Sequence, residues 1–166
     1  LLASLVHELN AMRGLLGEPD LIEYASLRPG SLTVLFRFGD LPVTLDRLDL
    51  PGIARYSMEF AVYGPHRRAV LAFPSPFLRS EPTLIKVEDG VAGAAASRST
   101  EEITSYESSF KLELLALYAA VVEGVEPATP GSDAVRDIAL CGSIIRAAKT
   151  GQAVEHPSEA RASSWT

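Results

Sequence analysis

Apolar residues at three- and four-residue steps open the chain. Leu2, Leu5, Leu9, Met12 and Leu16 predict an amphipathic helix over residues 1–16, and Gly17 followed by Pro19 supplies its stop. From about residue 20 the period changes to two. Leu32, Val34, Phe36 and Phe38 alternate with Ser31, Thr33, Leu35 and Arg37, and Tyr56, Met58, Phe60 and Val62 alternate with Arg55, Ser57, Glu59 and Ala61. Pro29-Gly30 and Gly39-Asp40 separate strands predicted at 21–28, 31–38 and 41–48, while Pro51-Gly52 and Gly64-Pro65 bracket a fourth at 55–63. Further strands are predicted at 67–73, 83–88 and near 100–104, with the Gly-, Ala- and Ser-rich stretch 89–99 as a mobile loop. These links are too short for helical crossovers, so the pairing is expected to be largely antiparallel.

Two helices should follow. One covers about 107–123 with Phe110, Leu114, Leu117, Tyr118 and Val121 as its stripe. The other runs from about 130 to 149, with Thr129 as N-cap, Pro130 in the first turn, and Val135, Ile138, Gly142 and Ile145 facing the core. The apolar sheet face needs a cover and the helices can provide it. The expected fold class is therefore α+β, a two-layer sandwich whose open, mostly antiparallel sheet of six or seven strands carries the helices on one face. The domain should occupy residues 1–151, and the polar tail 152–166, including Trp165, should be loosely held. The opposite sheet face mixes Thr33, Arg37, Arg55, Glu59, Tyr63 and Arg68 with apolar residues, a surface suited to water or to a second subunit.

Composition narrows the function classes. A net charge of −6 argues against a general nucleic-acid surface, which needs clustered Lys and Arg. No apolar run approaches the roughly 20 residues that span a bilayer. The chain starts at Leu1 inside a helical pattern, with no basic n-region and no cleavage-like site, and reads as a fragment of a cytoplasmic protein. Cys141 is the sole cysteine, which excludes an internal disulfide, and His7, His66 and His156 match no metal-ligand spacing with it. No metal is expected. Asp46, Asp49, Glu101 and Glu102 read as solvated charges, His66-Arg67-Arg68 as a hairpin edge, and no glycine-rich phosphate loop is present.

The first helix holds the one arrangement that stands out. At ~100° per residue His7 lies almost opposite the apolar stripe, on a strip shared with Ala3, Asn10, Ala11 and Gly14. Small side chains around one imidazole leave room for a ligand or another surface to approach. From periodicity alone the favoured reading of the strip is a solvent-facing helix that happens to carry a histidine.

The segment His7-Glu8-Leu9-Asn10-Ala11-Met12-Arg13-Gly14-Leu15-Leu16-Gly17-Glu18-Pro19 resembles the His-Asp-x-Asp-x-x-Arg-x-Leu-x-Gly-Glu-Pro stretch of the Gfo/Idh/MocA oxidoreductases. Near the other end, Phe110-Lys111-x-Glu113-Leu114, Glu126-Pro127-x-Thr129-Pro130, Asp133 and Asp137-Ile138-Ala139 are similar to the same family in order and distance. The resemblance covers about residues 1–150. It implies the C-terminal half of an enzyme whose N-terminal Rossmann domain, absent from this chain, binds most of an NAD or NADP cofactor. It also implies a sugar- or polyol-like substrate and association into a homo-oligomer through the open sheet face, here Leu35, Arg37, Ser57, Ala61, Tyr63 and Val70.

By that resemblance His7 is the catalytic residue and Asn10 a substrate-binding one. Taking a hydride from a carbinol leaves a proton on oxygen, which a positioned His or Lys can accept. In the family a lysine of a Glu-Lys-Pro motif and an aspartate four residues before the histidine share this work. Here that position is Ala3, and Asn10 replaces the second aspartate of the motif, keeping a hydrogen-bonding group that cannot take a proton. The alternative is a non-catalytic binding or dimerisation module that kept the fold and lost the site; the isolated domain is expected to be inactive under either reading.

Overall fold

The computed structural model describes residues 5–53, 56–78 and 81–156. Leu2, Ala3, Arg55 and Trp165 lie outside them. The order is α1 (Val6–Leu16), β1 (Leu21–Arg28), β2 (Ser31–Phe38), β3 (Leu41–Leu48), β4 (Met58–Tyr63), β5 (Arg67–Phe73), β6 (Thr83–Gly90), β7 (Ser97–Ser105), α2 (Ser109–Tyr118), α3 (Gly131–Thr150) and β8 (Val154–Glu155). A π-helical turn, Ala119–Glu123, extends α2. The fold is α+β with antiparallel pairing throughout. Rather than entering one sheet of six or seven strands, the eight strands among the described residues form two sheets of four, β3-β2-β1-β8 and β4-β5-β6-β7. The chain correspondingly divides into two compact units, one made of residues up to Gly52 and from Ala128 onward, the other of Ile53–Pro127.

In the first unit the two tight hairpins form where the turn residues stand. Gly30 and Gly39 take φ of 75° and 58°, values that favour glycine, so the pairs Arg28↔Ser31 and Phe38↔Leu41 close with two-residue loops. Alternation then puts Leu32, Val34 and Phe36 inside, where Leu5, Leu9, Met12, Ile22, Leu140, Ile144 and Ala147 join them as a fully buried core. Helix α3 packs on β1, and α1 packs on α3. Glu23 interrupts the ladder, since Ile22 faces Phe36 while Tyr24 faces Leu35.

Helix α3 departs from its predicted orientation. Asp137, Leu140, Ser143, Ile144 and Ala147 are buried, whereas Val135 and Ile138 are exposed. The stripe is rotated because a polar pair, Asp137 and Ser143, has partners inside and so competes successfully for the buried face. The helix also begins one residue late: Pro130, with ψ 165°, occupies the cap position without a side-chain cap bond, and the Asp133 N–H donates to its carbonyl over 2.9 Å.

The second unit is a four-stranded meander. Strands β6 and β7 run to Gly90 and from Ser97, so the expected loop 89–99 contracts to a short connection. Phe60 meets Phe73 edge-on at 5.9 Å, and Phe77 meets Phe110 at 5.7 Å. No side chain of α2 is buried among the described residues, and the predicted stripe Phe110, Leu114, Leu117, Tyr118 and Val121 is exposed.

Candidate functional site

Helix α1 points three different chemistries in three directions. Leu5, Leu9 and Met12 enter the core. Arg13, turned only ~40° from Leu9, enters it too and is 6% exposed. A buried guanidinium must be paired, because an unpaired charge in the interior costs several kcal/mol. Arg13 is paired on every side. Its Nε donates to Glu18 Oε1 and Oε2 at 2.9 and 2.8 Å, one terminal nitrogen donates to Asp133 Oδ1 at 2.8 Å, and the other to Asp137 Oδ1. Arg136 adds a contact to Asp133 at 3.1 Å.

Asp133 and Asp137 are four residues apart, so both carboxylates lie on the α3 face that meets α1. The Glu18 hydrogen bonds hold the Arg13 pKa above its already high ordinary value, against the effect of burial, and the two aspartates add to this. Burial pushes the Asp133 carboxyl upward, but the Asn10 amide and Arg13 together outweigh it and hold the group below the ordinary carboxylate range.

Asn10 belongs to this network. Its Nδ2 donates to Asp133 Oδ2 at 2.5 Å and to Asp137 Oδ2 at 2.9 Å. Carboxylates only accept, so the amide nitrogen must face α3, and the amide oxygen is what Asn10 has left to offer a ligand. His7 is exposed on the side of α1 away from the core and makes no hydrogen bond or ion pair among the described residues. The two candidate residues thus share a helix but not a task. Asn10 ties α1 to α3, and His7 is presented outward.

Sequence reasoning missed the buried Arg13 cluster and His156. The position of Arg13 on the helical wheel, inside the buried sector, was the available signal for the first. The imidazole of His156 is buried, with Nδ1 3.2 Å from Ser143 Oγ and Nε2 3.9 Å from Glu18 Oε2. Among the described residues no group of His, Cys, Asp and Glu side chains is arranged to hold a metal ion. The Cys141 thiol is pushed upward by burial and by Asp137, away from thiolate chemistry. Of the residues expected to form an oligomer face, half-buried Leu35 and Arg37 lie on β2, with Arg37 Nε 2.9 Å from Glu23; Ala61, Tyr63 and Val70 lie on β4 and β5, and Ser57 just precedes β4.

No protein-family model matches the chain, and no curated protein matches it by sequence. Solved structures do match in fold. The aldose-aldose oxidoreductase of Caulobacter crescentus, complexed with glycerol, aligns with a TM-score of 0.67 at 19% identity, over 91% of this chain and 45% of its own. The yvaA protein of Bacillus subtilis gives 0.71 at 10% identity over 92% and 49%. The WlbA dehydrogenase of Bordetella pertussis, in complex with NADH and UDP-GlcNAcA, gives 0.54 at 13% identity over 93% and 44%. The chain therefore has the fold of one half of these proteins and spans a little under half the length of each.

Proposed function

We propose that this chain is the C-terminal, substrate-side half of an NAD- or NADP-dependent oxidoreductase acting on a sugar, polyol or related hydroxyl or carbonyl compound. The observation that carries the reading is the fold match over nine-tenths of the chain to a single half of enzymes described as an aldose-aldose oxidoreductase and a dehydrogenase. The described elements offer no glycine-rich strand–turn–helix for a dinucleotide, so the cofactor would be held mainly by a preceding domain, with His7 free to approach it. When bound, the nicotinamide exchanges a hydride with the substrate carbon. As a carbinol carbon gives up its hydride, His7 in its neutral form accepts the hydroxyl proton, leaving the carbonyl; in the reverse direction it returns that proton.

The second reading, a binding or dimerisation module without catalysis, is favoured by Ala3 and Asn10, which stand where the resembling family carries carboxylates. Under both readings the chain would act as a cytoplasmic homo-oligomer joined through open faces of its sheets.

Nicotinamide absorbance, followed with the full-length protein and a panel of aldoses and polyols, separates the two. Cofactor reduction that falls about 10²–10⁴-fold in His7→Ala supports catalysis. Thermal stability should be unchanged in that variant, because His7 packs against nothing in the core. Turnover unaffected by His7→Ala, or no turnover with any panel member, removes the catalytic assignment.

A further inference from the structure

The short strand β8 is attached to its sheet at an unusual place. Its backbone pairs with Leu21 and Ile22 at the start of β1, and the next residue, His156, donates its N–H to the Asp20 carbonyl at 2.9 Å. Two ladder pairs are a marginal hold on a strand, and β8 also lies against α3. The side chain of His156 adds an anchor, buried between α3 and the segment that leaves α1.

These surroundings suit a neutral ring. Ser143 Oγ receives an N–H from Arg146 at 3.3 Å, so its own hydrogen is free to point at His156 Nδ1, 3.2 Å away. That bond needs a lone pair on Nδ1. A second ring proton would turn Ser143 Oγ from donor into acceptor beside the Arg146 N–H that it already accepts, and would bring the imidazolium charge close to that guanidinium. On the other side Nε2 is 3.9 Å from Glu18, a carboxylate already engaged by Arg13 and approached by Arg136 at 3.7 Å. The charges facing the ring are therefore Glu18 from the α1–β1 segment, Arg13 from α1 and Arg146 from α3, two cations against one occupied anion. Asp20 turns its carboxylate to the Gly39 N–H.

We propose that β8 is a pH-operated clasp: neutral His156 holds it on the edge of β1, and protonation of the imidazole releases it. Burial first, then Arg13 and Arg146, hold the His156 pKa below its ordinary range against the pull of Glu18. A depressed folded-state pKa means that the released strand binds the proton better than the docked one. Docking is then complete above the ordinary imidazole value of about 6.5 and weakens as pH falls below it, by at most about tenfold per pH unit for one proton. Release leaves the first two residues of β1 as an open edge.

Two measurements on the full chain decide it. In an NMR titration of the ring protons, His156 should titrate below the ordinary imidazole value of about 6.5. Protection of the His156 amide against hydrogen exchange, corrected for the intrinsic rate, should fall severalfold between about pH 7.5 and 5.5. His156→Asn keeps a hydrogen-bonding group near the Nδ1 position without a titrating ring, and its residue-156 amide should be equally protected at both pH values. A His156 that titrates at or above about 6.5 overturns the proposal. So does wild-type protection that ignores pH, or an equal fall in the Asn variant. Should His156→Asn fail to dock β8 at any pH, the wild-type ring titration and amide protection still decide.

Discussion

The two units are built from the same hairpin grammar and differ in what covers the sheet. In the first, α3 lies on β1, and every buried apolar side chain among the described residues belongs to this unit. In the second, four strands pair through antiparallel ladders, with one register shift between Thr83 and Leu84, yet no described residue from Ile53 to Pro127 is buried. Helix α2 is apolar nearly all round, the composition of a helix built for burial, but it contributes nothing to a core among the described residues. Hydrogen-bonded pairing defines a sheet; removal of apolar surface from water is what stabilises it. Stability should therefore be concentrated in the first unit.

The largest test of that contrast is Phe36→Ala. Phe36 is 0% exposed, and truncating such a ring costs about 3–5 kcal/mol. A urea midpoint that hardly moves would show that the first unit is not the stabilising one. Next comes Arg13→Gln. Removing one member of a buried ionic cluster costs about 3–5 kcal/mol, because Glu18, Asp133 and Asp137 are left facing one another. The parallel change in the second unit, Arg67→Gln opposite Asp89, should leave the denaturation curve unaltered, since that pair is exposed. A comparable loss from both substitutions would erase the difference between the units. Small as well is the effect of Leu117→Ala. At 58% exposure it should shift stability by no more than about 0.5 kcal/mol. A loss of several times that size in the full-length protein, by the same urea titration, would sharpen the comparison, because α2 would then be covered in the longer chain.

How far the residues disclosed this follows the range of the interactions. Strands β1, β2, β3 and β5 fall where alternation and the Pro-Gly, Gly-Asp and Gly-Pro punctuation put them, because a two-residue turn fixes its flanking ladder locally. The α3 face was misjudged because Asp137 and Ser143 look like surface residues until their partners are known, and Arg13 lies 124 residues from Asp137. The division into two sheets was hidden for a related reason: periodicity shows which side of a strand is apolar but not which strand is its neighbour. Strand β8 could not be read at all. Two residues carry no periodicity, and their pairing comes from the edge of β1 and the buried His156. The candidates His7 and Asn10 were singled out through the helix and the resemblance, but only tertiary contacts separate a group offered outward from one spent on holding α1 to α3.

The bulge at Glu23 settles which changes of length β1 can absorb. Ile22 and Ala25 both face inward although they stand three positions apart, an odd spacing that a regular strand forbids. Omitting Glu23 would bring Ile22 and Tyr24 into direct succession opposite Phe36 and Leu35, so every other pair would keep its partner and only the ion pair with Arg37 would go. Omitting Tyr24 would close the same gap but seat Glu23 in its place on the outer face. Omitting a residue from Ala25 to Leu27 would instead transpose inside and outside for part of the strand and turn a polar side chain into the core. The strand thus carries its own spare residue, and an evolutionary deletion or a designed shortening has one site at which it costs little more than a surface ion pair.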